Sequence, residues 1–178
     1  MRRTCAICLA AAFLGGCGGA SDPNAASATP DPFVGSSVCT SGVMSSINES
    51  EGPLMGPGRA CVTCHADANA ASGESDAPIF AFAGTVYTSG HEPTDCVASD
   101  SEGAEIEITD ANGHVYTQTA NAAGNFFDES PEFAFPYSAK IKYQGRERLM
   151  LEAQLIGDCN SCHSEKGDQL APGRVVLP

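Results

Sequence analysis

Cys61-Val62-Thr63-Cys64-His65 and Cys159-Asn160-Ser161-Cys162-His163 are two copies of one arrangement, Cys-x-x-Cys-His. Two thiols at this spacing can add across the two vinyl groups of a single porphyrin, while the chain turns tightly enough to bring the following imidazole under the ring. The chemistry expected is covalent attachment of a c-type haem at each motif, with His65 and His163 as proximal iron ligands. The four thiols admit other readings: paired Cys-x-x-Cys segments also build an all-thiolate zinc centre, and one such pair can act as a redox-active dithiol. Neither explains why His follows the second Cys both times in a chain with only four His.

A proximal His leaves the opposite axial position to be filled, and its occupant separates an electron carrier from a ligand-binding haem. His91 and Met55 are the candidate distal ligands. His91 lies in Ser89-Gly90-His91-Glu92-Pro93, a loop expected after a strand, and Met55 lies in the turn-forming Pro53-Leu54-Met55-Gly56-Pro57-Gly58. His114 is a weaker candidate, since it follows the hairpin signal Asn112-Gly113 and is expected as an exposed cross-strand residue. Met150, flanked by Leu149 and Leu151, reads as core, and Met44 has no distinguishing context. Four His in total would also suit two haems with imidazole on both sides.

The N-terminus reads as a route out of the cytoplasm. Met1-Arg2-Arg3 precedes an apolar run over 5–14 and then Leu14-Gly15-Gly16-Cys17, which reads as an export signal spanning 1–16. Cys17 after Leu-Gly-Gly resembles the lipobox of bacterial lipoproteins. That resemblance implies a lipid on Cys17, and Gly18 at the following position implies the outer membrane over the inner one. An ordinary signal peptide cut near Gly19-Ala20 is the alternative. Of nine cysteines, Cys5 and Cys8 leave with the signal, Cys17 takes lipid and four carry haem, so Cys39 and Cys96 remain for a disulfide.

With a net charge of -13, made more negative when Arg2 and Arg3 leave with the signal, the chain is a poor partner for nucleic acid or anionic surfaces. The partners expected are other redox proteins with basic docking patches, together with the membrane reached through the N-terminal lipid.

Residues 17–37 are small and polar and read as a flexible linker; 38–78 form the first haem-binding segment, with too few apolar residues for a core of their own. From Ile79 the pattern turns to period two. Ile79-Phe80-Ala81-Phe82-Ala83-Gly84-Thr85-Val86-Tyr87 reads as a strand, Ile106 and Ile108 alternate with Glu105 and Glu107, and Ala139, Ile141 and Tyr143 alternate with Lys140 and Lys142. The stretch 79–152 is expected to be a small antiparallel β-sandwich, flanked by irregular or short helical haem-binding segments, the second being 153–178. The fold class is mainly β.

Within it, GAEIEITDANG followed by TANAAGNFF resembles the carboxypeptidase regulatory-like, or transthyretin-like, β-sandwich over about residues 82–145. Such modules lack catalytic machinery, so the resemblance implies a scaffold. The pairing of such a module with Cys-x-x-Cys-His motifs also resembles secreted haem proteins of myxobacteria. The whole resembles a c-type cytochrome joined to that module: a lipid-anchored dihaem carrier of single electrons, and not an enzyme. No nucleophile–base pair, phosphate loop or zinc-protease helix accompanies the motifs. Two alternatives stay open, a haem-based sensor with one five-coordinate iron and a secreted β-sandwich adaptor without haem.

Overall fold

The computed structural model describes residues 30–45, 51–72 and 76–178. The export signal at 1–16 and the lipidation site Cys17 lie outside the described residues.

Alternation decides the larger sheet. Strand β2 (Glu105–Thr109) sits at its centre, with Ile106 and Ile108 only 2% and 0% exposed and the intervening Glu105 and Glu107 directed outward. It pairs antiparallel with β3 (Val115–Thr119) and β5 (Ser138–Tyr143), and β6 (Arg146–Leu149) extends β5, giving the order β3-β2-β5-β6. The register places Glu107 opposite Lys140 and Glu105 opposite Lys142. Lys142 Nζ reaches Glu107 at 2.6 Å and Glu105 at 3.0 Å, an outward-facing charge ladder that adds pairing specificity and little net stability.

The β2–β3 turn is built by Asp110, whose Oδ1 accepts the N–H of Asn112 at 2.8 Å and of His114 at 2.9 Å. Gly113 takes the positive φ of 82° that this turn requires.

The smaller sheet has the order β4-β1-β7. Its centre, β1 (Phe82–Tyr87), is buried along its whole length, as a strand covered on both faces must be. The strand expected from Ile79 begins three residues later; Ile79 is 77% exposed, and Phe80 leaves the ladder to pack on His65. β4 (Asn125–Asp128) runs antiparallel to β1, whereas β7 (Val175–Val176) runs parallel to it. The sheet is therefore mixed rather than wholly antiparallel, and one of its strands comes from the C-terminal segment.

Phe82, Val86 and Phe126 of the smaller sheet meet Ile106, Ile108 and Ile141 of the larger one in a single core, to which Val175 and Leu177 also pack. The result is a mainly β, sandwich-like fold. Outside the sheets stand α1 (Cys61–Ser72), a short 3-10 turn (Ser99–Ser101) and the single turn α2 (Cys159–Cys162).

Within the expected linker, residues 32–33 are anchored. The Pro32 carbonyl accepts the Gly90 N–H at 2.7 Å, and the Phe33 ring lies where a side chain on Gly90 would stand. Among the described residues no helix is long and apolar enough to cross a membrane.

Candidate functional site

Each Cys-x-x-Cys pair opens a helical turn, which brings its two thiols onto neighbouring turns and its His to the end of the same stretch. The two histidines then share one hydrogen-bonding pattern. His65 Nδ1 lies 2.9 Å from the Pro78 carbonyl and His163 Nδ1 lies 2.9 Å from the Gly173 carbonyl. A carbonyl only accepts, so Nδ1 carries the hydrogen in both rings and Nε2 keeps a free lone pair. Metal-binding imidazoles are held by this kind of outer partner, which fixes both tautomer and ring orientation. Burial also pushes the His163 imidazole pKa down, favouring the neutral ring.

A cavity adjoins each motif. The first, about 390 Å³, is lined by Met55, Cys61, His65, Phe80 and Phe127, with Phe126 at its back. The second, about 440 Å³, opens between the sheets beside Tyr137, Met150, Cys159, Cys162 and His163. Both volumes fall in the range of cofactor sites, about 300–1,000 Å³. Phe126 lines both, so the two cavities share a wall.

That wall is thin because Gly84 of β1 has no side chain: a Cβ there would lie 2.6 Å from the Phe126 ring and 2.9 Å from Cys159 Cβ. The motifs are also stitched to each other. Asn160 donates to the Arg59 carbonyl at 2.8 Å, and Asp158 Oδ2 accepts the Thr63 N–H at 2.9 Å.

The thiols of Cys61, Cys64, Cys159 and Cys162 are free. Burial, followed by the charge of Asp158, pushes Cys61 up to about 11; burial pushes Cys159 up to about 12. A redox-active dithiol needs the opposite, a leading thiol with a lowered pKa. Nor do the four thiols gather as a zinc centre would require. The only cluster of potential metal donors among the described residues is Cys39, Glu92 and Cys96, and there the two sulfurs are already joined to each other.

The Cys39–Cys96 disulfide is present as expected, with its Cα atoms 5.5 Å apart. Beside it the carboxylate of Glu92, wholly buried, accepts the Thr40 N–H at 3.0 Å and the Thr40 hydroxyl.

Of the candidate distal ligands, only Met55 lines the cavity of the first motif. Its turn is pinned by Asn125, whose amide donates to the Met55 carbonyl at 2.9 Å. His91 is differently engaged: Nδ1 lies 2.7 Å from the Glu165 carbonyl and Nε2 3.0 Å from the Phe33 carbonyl, leaving neither nitrogen free for iron in this arrangement. His114 lines neither cavity; its side chain is 63% exposed and lies 3.4 Å from Asp110. Met44 is exposed on a bridge to Cys96. Met150 packs against the core, as expected, and it also lines the second cavity.

Asp158, Asn160 and Arg174 carry no sequence signal that would single them out. Arg174 is 1% exposed; its guanidinium donates to the Gly58 carbonyl at 2.8 Å, the Glu92 carbonyl at 2.9 Å and Thr94 at 3.0 Å, and it stacks on Tyr87. It thereby ties the segment before the first motif to Gly173, the anchor of His163.

No protein-family model, curated protein or solved structure matches the chain.

Proposed function

We propose that this chain is a dihaem electron carrier of the c-type cytochrome kind, held to the bacterial envelope by lipid on Cys17. The observation that carries the reading is the shared state of His65 and His163: each follows a Cys-x-x-Cys pair, has Nδ1 tied to a backbone carbonyl, keeps Nε2 free and borders a cavity of cofactor size.

Cys61 and Cys64 would hold one haem through thioether bonds, and Cys159 and Cys162 the other. When bound, haem iron cycles between ferric and ferrous and so carries one electron at a time. His65 and His163 would ligate through Nε2, with Pro78 and Gly173 keeping each ring in place. Met55 lines the same cavity as His65 and would offer that haem a thioether. Phe80, Phe126 and Phe127 give the first cavity an apolar wall, and Ile106, Ile108 and Ile141 give one to the second.

The acidic surface, net -13 over the chain, suits docking to a redox partner with a basic face. The raised thiol pKa values and the dispersed sulfurs support this reading over a dithiol or a zinc centre.

The test is covalent haem itself. The chain is produced in cells able to mature c-type cytochromes, run on a denaturing gel stained for haem and weighed intact. Two porphyrin additions per chain are expected; colourless material without added mass would overturn the reading. Carbon monoxide added to the reduced protein separates carrier from sensor, since rapid binding would mean that one iron has an open position.

A further inference from the structure

Asp158 stands directly before the second motif and is 3% exposed. Its Oδ2 accepts the Thr63 N–H, inside the first motif between Cys61 and Cys64. Its Oδ1 has no hydrogen-bond partner among the described residues. The same side chain lines the second cavity with Cys159, Cys162 and His163. One carboxylate thus touches both motifs.

Capping the first turn of α1 does not require a charge, because Asn or Ser would accept the Thr63 N–H as well. Burying a carboxylate with an idle oxygen costs free energy that a neutral acceptor would avoid. The other buried carboxylates are differently placed. Both oxygens of Glu92 are bonded by Thr40, and the idle oxygen of Asp110 faces His114 at 3.4 Å.

We infer that Asp158 is a fixed negative charge shared by the two haem sites, and that it lowers both midpoint potentials together. The inference rests on the haem reading above. A ferric centre carries one more positive charge than a ferrous one, so a nearby anion held in a low-dielectric setting stabilises the oxidised form. Placed directly before one motif and bonded into the other, Asp158 acts on both. Asp158 touches no iron ligand; it is a positioning residue that also sets a field.

The experiment begins with the intact mass of the wild-type protein, which settles the haem reading by itself. Asp158→Asn keeps an oxygen for the Thr63 N–H and removes the charge, and Asp158→Ser provides a second neutral acceptor. Potentiometric titration followed by absorbance is then compared with the wild type at equal salt. The expected result is full haem loading with both midpoint potentials raised, and wild-type potentials restored in Asp158→Glu. The inference is overturned if the neutral variants titrate as wild type, if only one of the two potentials moves, or if both fail to load while the wild type loads, since Asp158 would then serve assembly alone.

Discussion

The side-chain amide of Asn160, in the middle of the second Cys-x-x-Cys pair, donates to the backbone carbonyl of Arg59 just before the first. Its oxygen meanwhile accepts the N–H of Thr85, at the centre of β1, at 3.1 Å. One buried side chain therefore holds both motifs to the sheet between them. Replacing it with Ala leaves the Thr85 N–H and the Arg59 carbonyl without these partners, at about 1–3 kcal/mol for each buried group left unpaired. Asn160→Ala is expected to lower the urea midpoint clearly. An unchanged midpoint would mean that the two segments dock independently of this link.

Gly84 is needed for close approach and not for its backbone angle. Gly84→Ala forces a Cβ to within 2.6 Å of Phe126 and 2.9 Å of Cys159 Cβ. Overpacking of this kind costs about 1–3 kcal/mol. Because Cys159 takes part of the strain, haem loading at the second motif should drop before loading at the first, read by mass spectrometry of the peptides that carry each motif. Equal loading at both would show that the wall yields.

On the haem reading, Met55 and His91 carry opposite predictions. Met55→Leu keeps the volume and removes the sulfur, so the oxidised protein should lose far-red thioether absorption and its potential should shift while the haem stays covalently bound. His91→Ala should leave the visible spectrum unchanged, because its ring is already engaged by the Phe33 and Glu165 carbonyls. A spectrum altered by His91→Ala and insensitive to Met55→Leu would reverse the assignment.

Cys39 and Cys96 close a loop across 57 positions. Alkylation without reduction should leave both unlabelled. Replacing both by Ala is expected to cost about 2–4 kcal/mol, measured by denaturant unfolding.

For Asp110, burial pushes the carboxyl pKa up, but the N–H groups of His114 and Asn112 outweigh it and hold the folded value below the ordinary one. The unfolded chain then takes up the proton first as pH falls. The stabilisation is complete above the ordinary carboxyl value of about 3.9 and is lost as pH drops through the lowered folded value. Asp110→Asn should therefore flatten the dependence of stability on pH below about 4, read as melting temperature against pH. An acid limb identical to that of the wild type would exclude Asp110 as its source.

Local pattern made much of the scaffold legible. Ile106 and Ile108 alternate with Glu105 and Glu107 and are buried as that period requires. Asn112-Gly113 marks the β2–β3 hairpin where it occurs. Cys39 and Cys96 were the two cysteines left over once the others had uses, and they are bonded. The parallel strand β7 was not legible, because two residues are too few to display a period. His91 read as a free loop imidazole because nothing in its neighbours along the chain reveals the carbonyls of Phe33 and Glu165, which lie 58 and 74 positions away.

The amino-acid order alone carries the proposal of haem attachment, since two thiols and an imidazole at fixed spacing recur together in both motifs. It also determined the mainly β scaffold, through alternation that any strand with one wet face must show. Only the tertiary structure decided that the two motifs are neighbours with a common wall at Phe126, that Met55 and not His91 borders the first cavity, and that Asp158 reaches across to Thr63, 95 positions away. Those relationships depend on how the chain closes on itself around β1, and closure leaves no periodic trace in the residues it brings together.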